Sequence, residues 1–190
     1  ASKNQIDHSG GYVNNWTTGD FMRFIREMRE KYPNSDILVC RDHCGPGFNG
    51  NFDLKDVYST LKSDIENGFD LIHIDFCHFK GSKEEMFQES KKAIEYCLIL
   101  NPKIMLEIGT DENEGIKFNI NNLGELEKEI DFFSNFCNPE FYVVQTGSLI
   151  KEINQVGDFN KPFMEKVSKI LKSKGLKLKE HNADYLSKEE

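Results

Sequence analysis

The sequence lacks several features that mark large classes of protein. No stretch approaches the roughly 20 apolar residues that cross a bilayer, and its first residues have neither the charged start nor the apolar run of a secretion signal. The net charge is -8 and the pI about 5.2, which opposes electrostatic binding to nucleic acid or anionic lipid. We therefore expect a cytoplasmic protein that binds neither membranes nor nucleic acid.

The phosphate-loop signature GxxxxGK[ST] is also missing, which disfavours an open nucleotide-binding sheet. The five cysteines are an odd number without the second close pair of a zinc ribbon, so we expect buried thiols in a reducing compartment. With 190 residues, 38% of them hydrophobic and 29% charged, the chain is expected to form one domain over residues 1–190.

What the sequence does contain is a regular alternation of helix and strand signals. Helices are indicated by capping residues followed by apolar residues at helical spacing, and strands by short continuous apolar runs. Helices are predicted over 18–31, from Asp53 to a stop at Gly68, after Ser82, over 121–136 and over 161–174. Strands are predicted over 37–40, 71–75, 104–107, 141–144 and 176–179.

This alternation predicts a parallel sheet with right-handed crossovers. Polar residues follow the predicted strands at intervals of 32 to 38 residues, and such even units favour a closed barrel over an open sheet. A complete barrel takes about 250 residues. We therefore predict an α/β TIM (β/α)8 barrel of which this chain holds about five strand-helix units, with residues missing on one or both sides.

In such a barrel the strand ends converge on one mouth. The residues at these ends are Asp42 and His43, Asp75, Glu107, Gln145, and Glu180 with His181. Imidazoles and carboxylates together suit zinc, with manganese or cobalt as alternatives, and leave a position open to polarise a substrate carbonyl. Asp75 fits a helix cap equally well, and His73, in the middle of an apolar strand, is typical of a hydrogen-bonded core histidine.

Six ordered motifs resemble the tagatose-bisphosphate aldolase non-catalytic subunit family, which is related to the class II sugar-bisphosphate aldolases. The motifs are Asn4-Gln5 through Gly10-Gly11-Tyr12, Arg41-Asp42-His43 with Gly45-Pro46, Ile72-His73-Ile74-Asp75, Glu107-Ile108-Gly109-Thr110, Val143-Val144-Gln145 and Glu180-His181. The resemblance spans nearly the whole chain. It implies a TIM barrel acting on phosphorylated ketohexoses, with the first strand and helix and the last barrel unit absent from this chain.

The resemblance also suggests residue roles. His43, His181 and Glu107 would bind the divalent metal, and Asp42 would move the proton of the C4 hydroxyl as general acid/base. Gln145 stands where the catalytic relatives place a third histidine. Substrate contacts are expected from Gln5, Asp75, Gln145, Gly147, Asn182 and Asp184.

Three functions stay open at this point. Retro-aldol cleavage would make the protein a metal-dependent aldolase, and re-addition of the aldehyde on its other face would make it a ketose-phosphate 4-epimerase. The family name implies instead a non-catalytic subunit that stabilises a catalytic class II aldolase. We favour an enzyme and expect an oligomer. An incomplete barrel exposes strand edges that must be paired or covered, so missing chain, a second fragment or a partner must supply the rest.

Overall fold

The computed structural model describes residues 1–110, 123–145 and 160–181. Within these residues five helices and five strands alternate along the chain, an α/β arrangement as predicted. The strands lie in the sheet in the order β1-β2-β3-β4-β5. The elements are α1 Thr18–Lys31, β1 Cys40–Cys44, α2 Leu54–Asn67, β2 Leu71–Ile74, α3 Lys83–Leu100, β3 Met105–Thr110, α4 Leu123–Ser134, β4 Phe141–Gln145, α5 Lys161–Ser173 and β5 Leu178–His181. The chain divides into two compact units, Ala1–Leu106 and Glu107–Glu190, and the expectation of a single domain stays a prediction.

The first unit contains α1, β1, α2, β2 and α3. Strands β1 and β2 pair in parallel with Cys40 opposite Leu71, and their register shifts between Arg41 and Cys44. All four residues of β2 are buried, as expected of a parallel strand covered on both faces. The shift covers residues 42–43, and such irregularities re-aim side chains next to functional sites.

Local capping explains where the helices of this unit begin and end. In α1 the Thr17 side chain accepts the Asp20 N–H while the Asp20 carboxylate accepts the Thr17 N–H, and Ser82 with Glu85 forms the same capping box at α3. Gly68 ends α2 with a φ of 93°, a left-handed conformation that glycine adopts without strain. These predicted helix boundaries are confirmed.

The predicted position of β1 is wrong. The apolar run 37–40 is predicted as a buried strand, yet β1 begins only at its last residue, and Ile37 and Leu38 are 68% and 61% exposed. Just before strand pairing begins, the Asp70 carboxylate accepts the N–H of Val39 at 2.7 Å, so a side chain and not a neighbouring strand satisfies this N–H. Hydrophobic residues alone therefore did not locate the strand.

A buried ion pair replaces apolar packing beneath β1. Arg41 and Asp64 are both fully buried, and the guanidinium donates to the carboxylate through Nε at 2.6 Å and Nη2 at 2.7 Å. Arg41 also donates to the carbonyl oxygen of Ile6 at 2.7 Å, and Thr18 donates to Asp64 at 3.1 Å. The pair therefore joins β1 to α2, to α1 and to the N-terminal segment.

The second unit contains α4, α5 and the parallel strands β4 and β5, together with most of β3. Gly109 lies opposite Val143, which in turn lies opposite Lys179. Strand β4 also contacts α4: the Tyr142 hydroxyl donates to Glu129 at 2.7 Å, and both side chains are buried. Among the residues described here, no helix combines the length and apolar content needed to cross a membrane.

Candidate functional site

The C-terminal ends of β1 and β2 bring four polar side chains together. Asp42 and His43 belong to β1, His73 belongs to β2, and Asp75 directly follows β2. Asp42, His43 and His73 each offer one potential ligand atom, and these three atoms all lie within 4.8 Å of one another. The structure thus brings together Asp42, His43 and Asp75, three of the predicted site residues of the first unit, and adds His73, a histidine that was predicted to lie in the core.

His43 has an unusual backbone conformation and a defined ring orientation. Its φ of 51° is left-handed, a conformation that only a few per cent of non-glycine residues adopt, histidine more often than most, and that often occurs at functional sites. Its Nδ1 lies 3.1 Å from Asp75 Oδ2. An ionised carboxylate only accepts, so Nδ1 donates, and in the neutral ring the lone pair is then on Nε2. That Nε2 faces Asp42, 3.6 Å from Oδ2.

Asp75 is fully buried and ionised. Burial alone would raise the pKa of its carboxyl group, but the hydrogen bond from His43, the electrostatic influence of the nearby His73 imidazole and the N–H of Cys77 together hold that pKa below its ordinary value. The Cys77 N–H donates to Oδ1 at 3.0 Å, so each oxygen has its own donor. Asp75 is therefore a fixed acceptor that sets the tautomer of His43, rather than a group exposed to substrate.

His73 fits the predicted description of a buried, hydrogen-bonded histidine, but it also faces the site. Only 1% of it is exposed. Its Nδ1 accepts the backbone N–H of His43 at 3.4 Å, which is a long hydrogen bond. The same nitrogen lies 3.8 Å from Asp42 Oδ1. Strand alternation, which places residues 73 and 75 on one face, is the signal that would have found it.

The cluster carries the donor types that a divalent cation takes. Ligands of tetrahedral zinc at about 2.0–2.1 Å stand about 3.3 Å apart, whereas the two imidazoles lie 3.6 and 3.8 Å from two different oxygens of Asp42, so the side chains would have to move closer together to share one cation. Two imidazoles with a carboxylate suit zinc, manganese or cobalt. The hydrogen bond from His43 to Asp75 matches the buried carboxylate that supports many metal-binding histidines.

A second group of possible ligands lies in the same unit, at Asp7, His8 and Asp56. Here a cation is already supplied by the protein. The fully buried ammonium of Lys3 lies 2.7 Å from Asp56 and 3.9 Å from Asp7, and His8 Nδ1 lies 3.0 Å from Asp7. Thr60 also donates to Asp7 at 2.6 Å. We interpret this cluster as structural, and no local sequence pattern pointed to it.

The remaining predicted site residues lie elsewhere in the chain. Gln5 Oε1 accepts the Ser2 N–H at 2.8 Å in the N-terminal segment. In the second unit, buried Glu107 forms an ion pair with Lys179, and Gln145 lies opposite His181 in the pairing of β4 with β5. Gly147, Asn182 and Asp184 fall outside the described residues.

Comparison with known proteins gives no assignment. No protein-family model and no curated protein matches the chain.

Proposed function

We propose that the chain carries a class II aldolase-like site that cleaves or epimerises ketohexose phosphates or bisphosphates at C4. The observation that carries this proposal is the cluster of Asp42, His43 and His73 with buried Asp75 behind it. Metal-assisted retro-aldol chemistry needs groups that hold a cation and a group that moves a proton beside it. We further propose that the strands belong to an incomplete (β/α)8 barrel, in which such groups occupy the strand ends.

In this proposal His43 and His73 hold a divalent cation, with zinc as the first choice. When bound, the cation polarises the ketose carbonyl and stabilises the negative charge that develops on its oxygen. Asp42 takes the proton of the C4 hydroxyl as the C3–C4 bond breaks, and returns a proton in the reverse direction. Asp42 suits this role because 43% of its side chain is exposed, whereas Asp75 is buried and bonded to His43.

Several predicted residues extend the proposal beyond the first unit. Glu107 and His181 stay predicted as further ligands. Substrate contacts stay predicted for Gln5, Gln145, Gly147, Asn182 and Asp184. For Asp75 we propose an indirect role, because its oxygens already accept from His43 and Cys77.

A second candidate function is a non-catalytic subunit that stabilises a catalytic class II aldolase. It is favoured by Gln145 at the end of β4, where the resemblance implies a third histidine in catalytic relatives. A carboxamide is a poorer ligand for zinc than an imidazole. In this alternative the chain has no catalytic activity of its own, and the catalytic partner subunit converts the phosphorylated ketose.

The test is a product assay on the purified protein supplied with zinc or manganese. Fructose and tagatose bisphosphates are offered, and triose phosphate and the C4 epimer are measured separately. Asp42→Asn removes the proposed acid/base group. Asp53→Asn is the matched control, because it makes the same change of charge at the N-cap of α2, where asparagine caps as well as aspartate.

Each outcome separates the candidates. Triose phosphate that Asp42→Asn abolishes and Asp53→Asn preserves supports an aldolase, whereas epimer without triose phosphate supports a 4-epimerase. No product from the protein alone, together with increased activity of an added catalytic subunit, supports the non-catalytic role. Turnover that persists in Asp42→Asn contradicts the proposed mechanism.

A further inference from the structure

The loop after β1, residues 45–51, places an aromatic ring against the site. Phe48 stacks on His43 with the ring centroids 4.9 Å apart and the planes 22° from parallel. His78 lies against Phe48 as well, at 4.7 Å and 51°. The imidazole of His43 is therefore held at one edge by the hydrogen bond to Asp75 and over one face by Phe48.

This loop is fixed on the site side by its backbone. Gly45 packs so closely on Asp75 that an added Cβ would lie 1.5 Å from the Asp75 carbonyl oxygen, so only glycine fits. Further along, the Gly47 N–H donates to the Asn51 carbonyl at 2.7 Å. These two contacts determine the path of the loop next to Asp75. They do not involve Phe48, so they do not explain its stacking on His43.

The second attachment is the side chain of Asn49. Its Nδ2 donates to Asp7 Oδ2 at 3.1 Å and to Asp56 Oδ2 at 3.0 Å, and its Oδ1 accepts the Asn51 N–H at 3.1 Å. The two carboxylates only accept, so they determine which way the amide points. Both N–H groups of the Asn49 amide therefore donate a hydrogen bond, and its oxygen accepts one.

The acceptors of Asn49 are themselves largely buried. Asp7 has 2% of its side chain exposed, Asp56 has 12%, and the buried Lys3 ammonium bonds directly to Asp56. Hydrogen bonds to ionised carboxylates are stronger than those between neutral groups. Asn49 therefore ties the loop to a largely buried cluster that takes no part in the proposed chemistry, and in which the Lys3 ammonium offsets one of the two carboxylate charges.

We propose that Asn49 is a positioning residue for the site: by bonding Asp7 and Asp56 it holds the loop so that Phe48 stacks on His43 and fixes the imidazole for cation binding. This inference rests on the proposed function for its consequence in metal binding, but not for the stacking itself. Loss of Asn49 removes this attachment of the loop, so the stacking of Phe48 on His43 loses its fixed geometry, whereas the bond of His43 to Asp75 remains.

The experiment compares Asn49→Ala with wild type in two measurements. The first is the proton spectrum of the ¹³C-labelled histidine rings, with His43 assigned by means of His43→Gln, because a stacked phenyl ring shifts the imidazole protons upfield. The second is zinc affinity by competition with a chelator. Asn51→Ala is the matched control, since Asn51 lies in the same loop and its side chain accepts from Asp53 N–H at 3.0 Å.

We expect Asn49→Ala to lose the upfield shift and to weaken zinc binding about 10- to 100-fold, the range for groups that orient metal ligands, while Asn51→Ala changes neither. Unchanged His43 shifts in a folded Asn49→Ala overturn the proposal. Shifts that change while even wild type binds no zinc leave the positioning role supported and contradict the proposed function. If Asn49→Ala does not fold, Asn49→Ser replaces it, because serine keeps one hydrogen-bond donor. The proposal then predicts a partial loss of the upfield shift of the His43 ring protons, and an unchanged shift overturns it.

Discussion

Replacement of Asp75 by asparagine removes one charge and very little volume, so it isolates the role of this buried carboxylate. Asp75 accepts the His43 Nδ1–H at 3.1 Å and the Cys77 N–H at 3.0 Å. In Asp75→Asn the amide oxygen can satisfy Cys77, which turns the amide NH₂ toward His43. An NH₂ group donates, so Nδ1 must become an acceptor and the ring proton must move to Nε2.

That change takes the lone pair away from the nitrogen that faces Asp42. Substitution of a group that orients a metal ligand typically costs 10- to 100-fold in metal affinity, which corresponds to about 1.4–2.7 kcal/mol. We expect a loss of this size in zinc affinity, measured by competition with a chelator. The tautomer change is checked by the ¹⁵N shifts of His43, and Asp53→Asn at the exposed cap of α2 is the control.

Zinc affinity in Asp75→Asn that equals that of wild type would refute the reasoning, provided that the variant melts as a single folded species. The same conclusion would follow if Asp53→Asn lost as much affinity as Asp75→Asn, because the effect would then be one of general charge. A shifted tautomer with unchanged affinity would mean that His43 Nε2 is not a ligand.

Three further predictions concern the scaffold and are tested by urea unfolding. Gly45→Ala adds a Cβ 1.5 Å from a backbone oxygen and should lower the free energy of unfolding by about 1–3 kcal/mol, whereas Gly124→Ala, in open space in α4, should not lower it. Arg41→Met leaves Asp64 buried and unpaired, a loss of about 3–5 kcal/mol that Arg41→Met with Asp64→Leu should largely recover. Burial raises the pKa of the Cys97 thiol to about 12, above that of an unfolded thiol. Stability is therefore lost as the pH rises above about 8.5, and Cys97→Ala should lose about 2 kcal/mol less than wild type between pH 8 and 10.

The helices were predictable because their boundaries depend on neighbouring residues. Thr17 with Asp20 and Ser82 with Glu85 form capping boxes within four residues, and such contacts can be read from sequence spacing. Just before β1, by contrast, the N–H of Val39 bonds to Asp70, a residue 31 positions away. Long-range bonds of this kind leave no periodic pattern in the sequence.

The candidate site shows the same division. Asp42, His43 and Asp75 follow apolar runs, so their place at strand ends could be predicted. His73 lies within an apolar strand and was assigned to the core because burial and ligation give the same local pattern. Asn49 acts through Asp7, a residue 42 positions away in the sequence, and only the folded chain brings the two together.

The central claim is a cation site built on the histidines of β1 and β2, and elemental analysis of the zinc-supplemented protein after desalting tests it most directly. We predict one equivalent of metal in wild type, with loss in both His43→Gln and His73→Gln. His181→Ala in the same series tests the further ligand predicted from the sequence. No bound metal in wild type, or full retention in both His43→Gln and His73→Gln, would contradict the account.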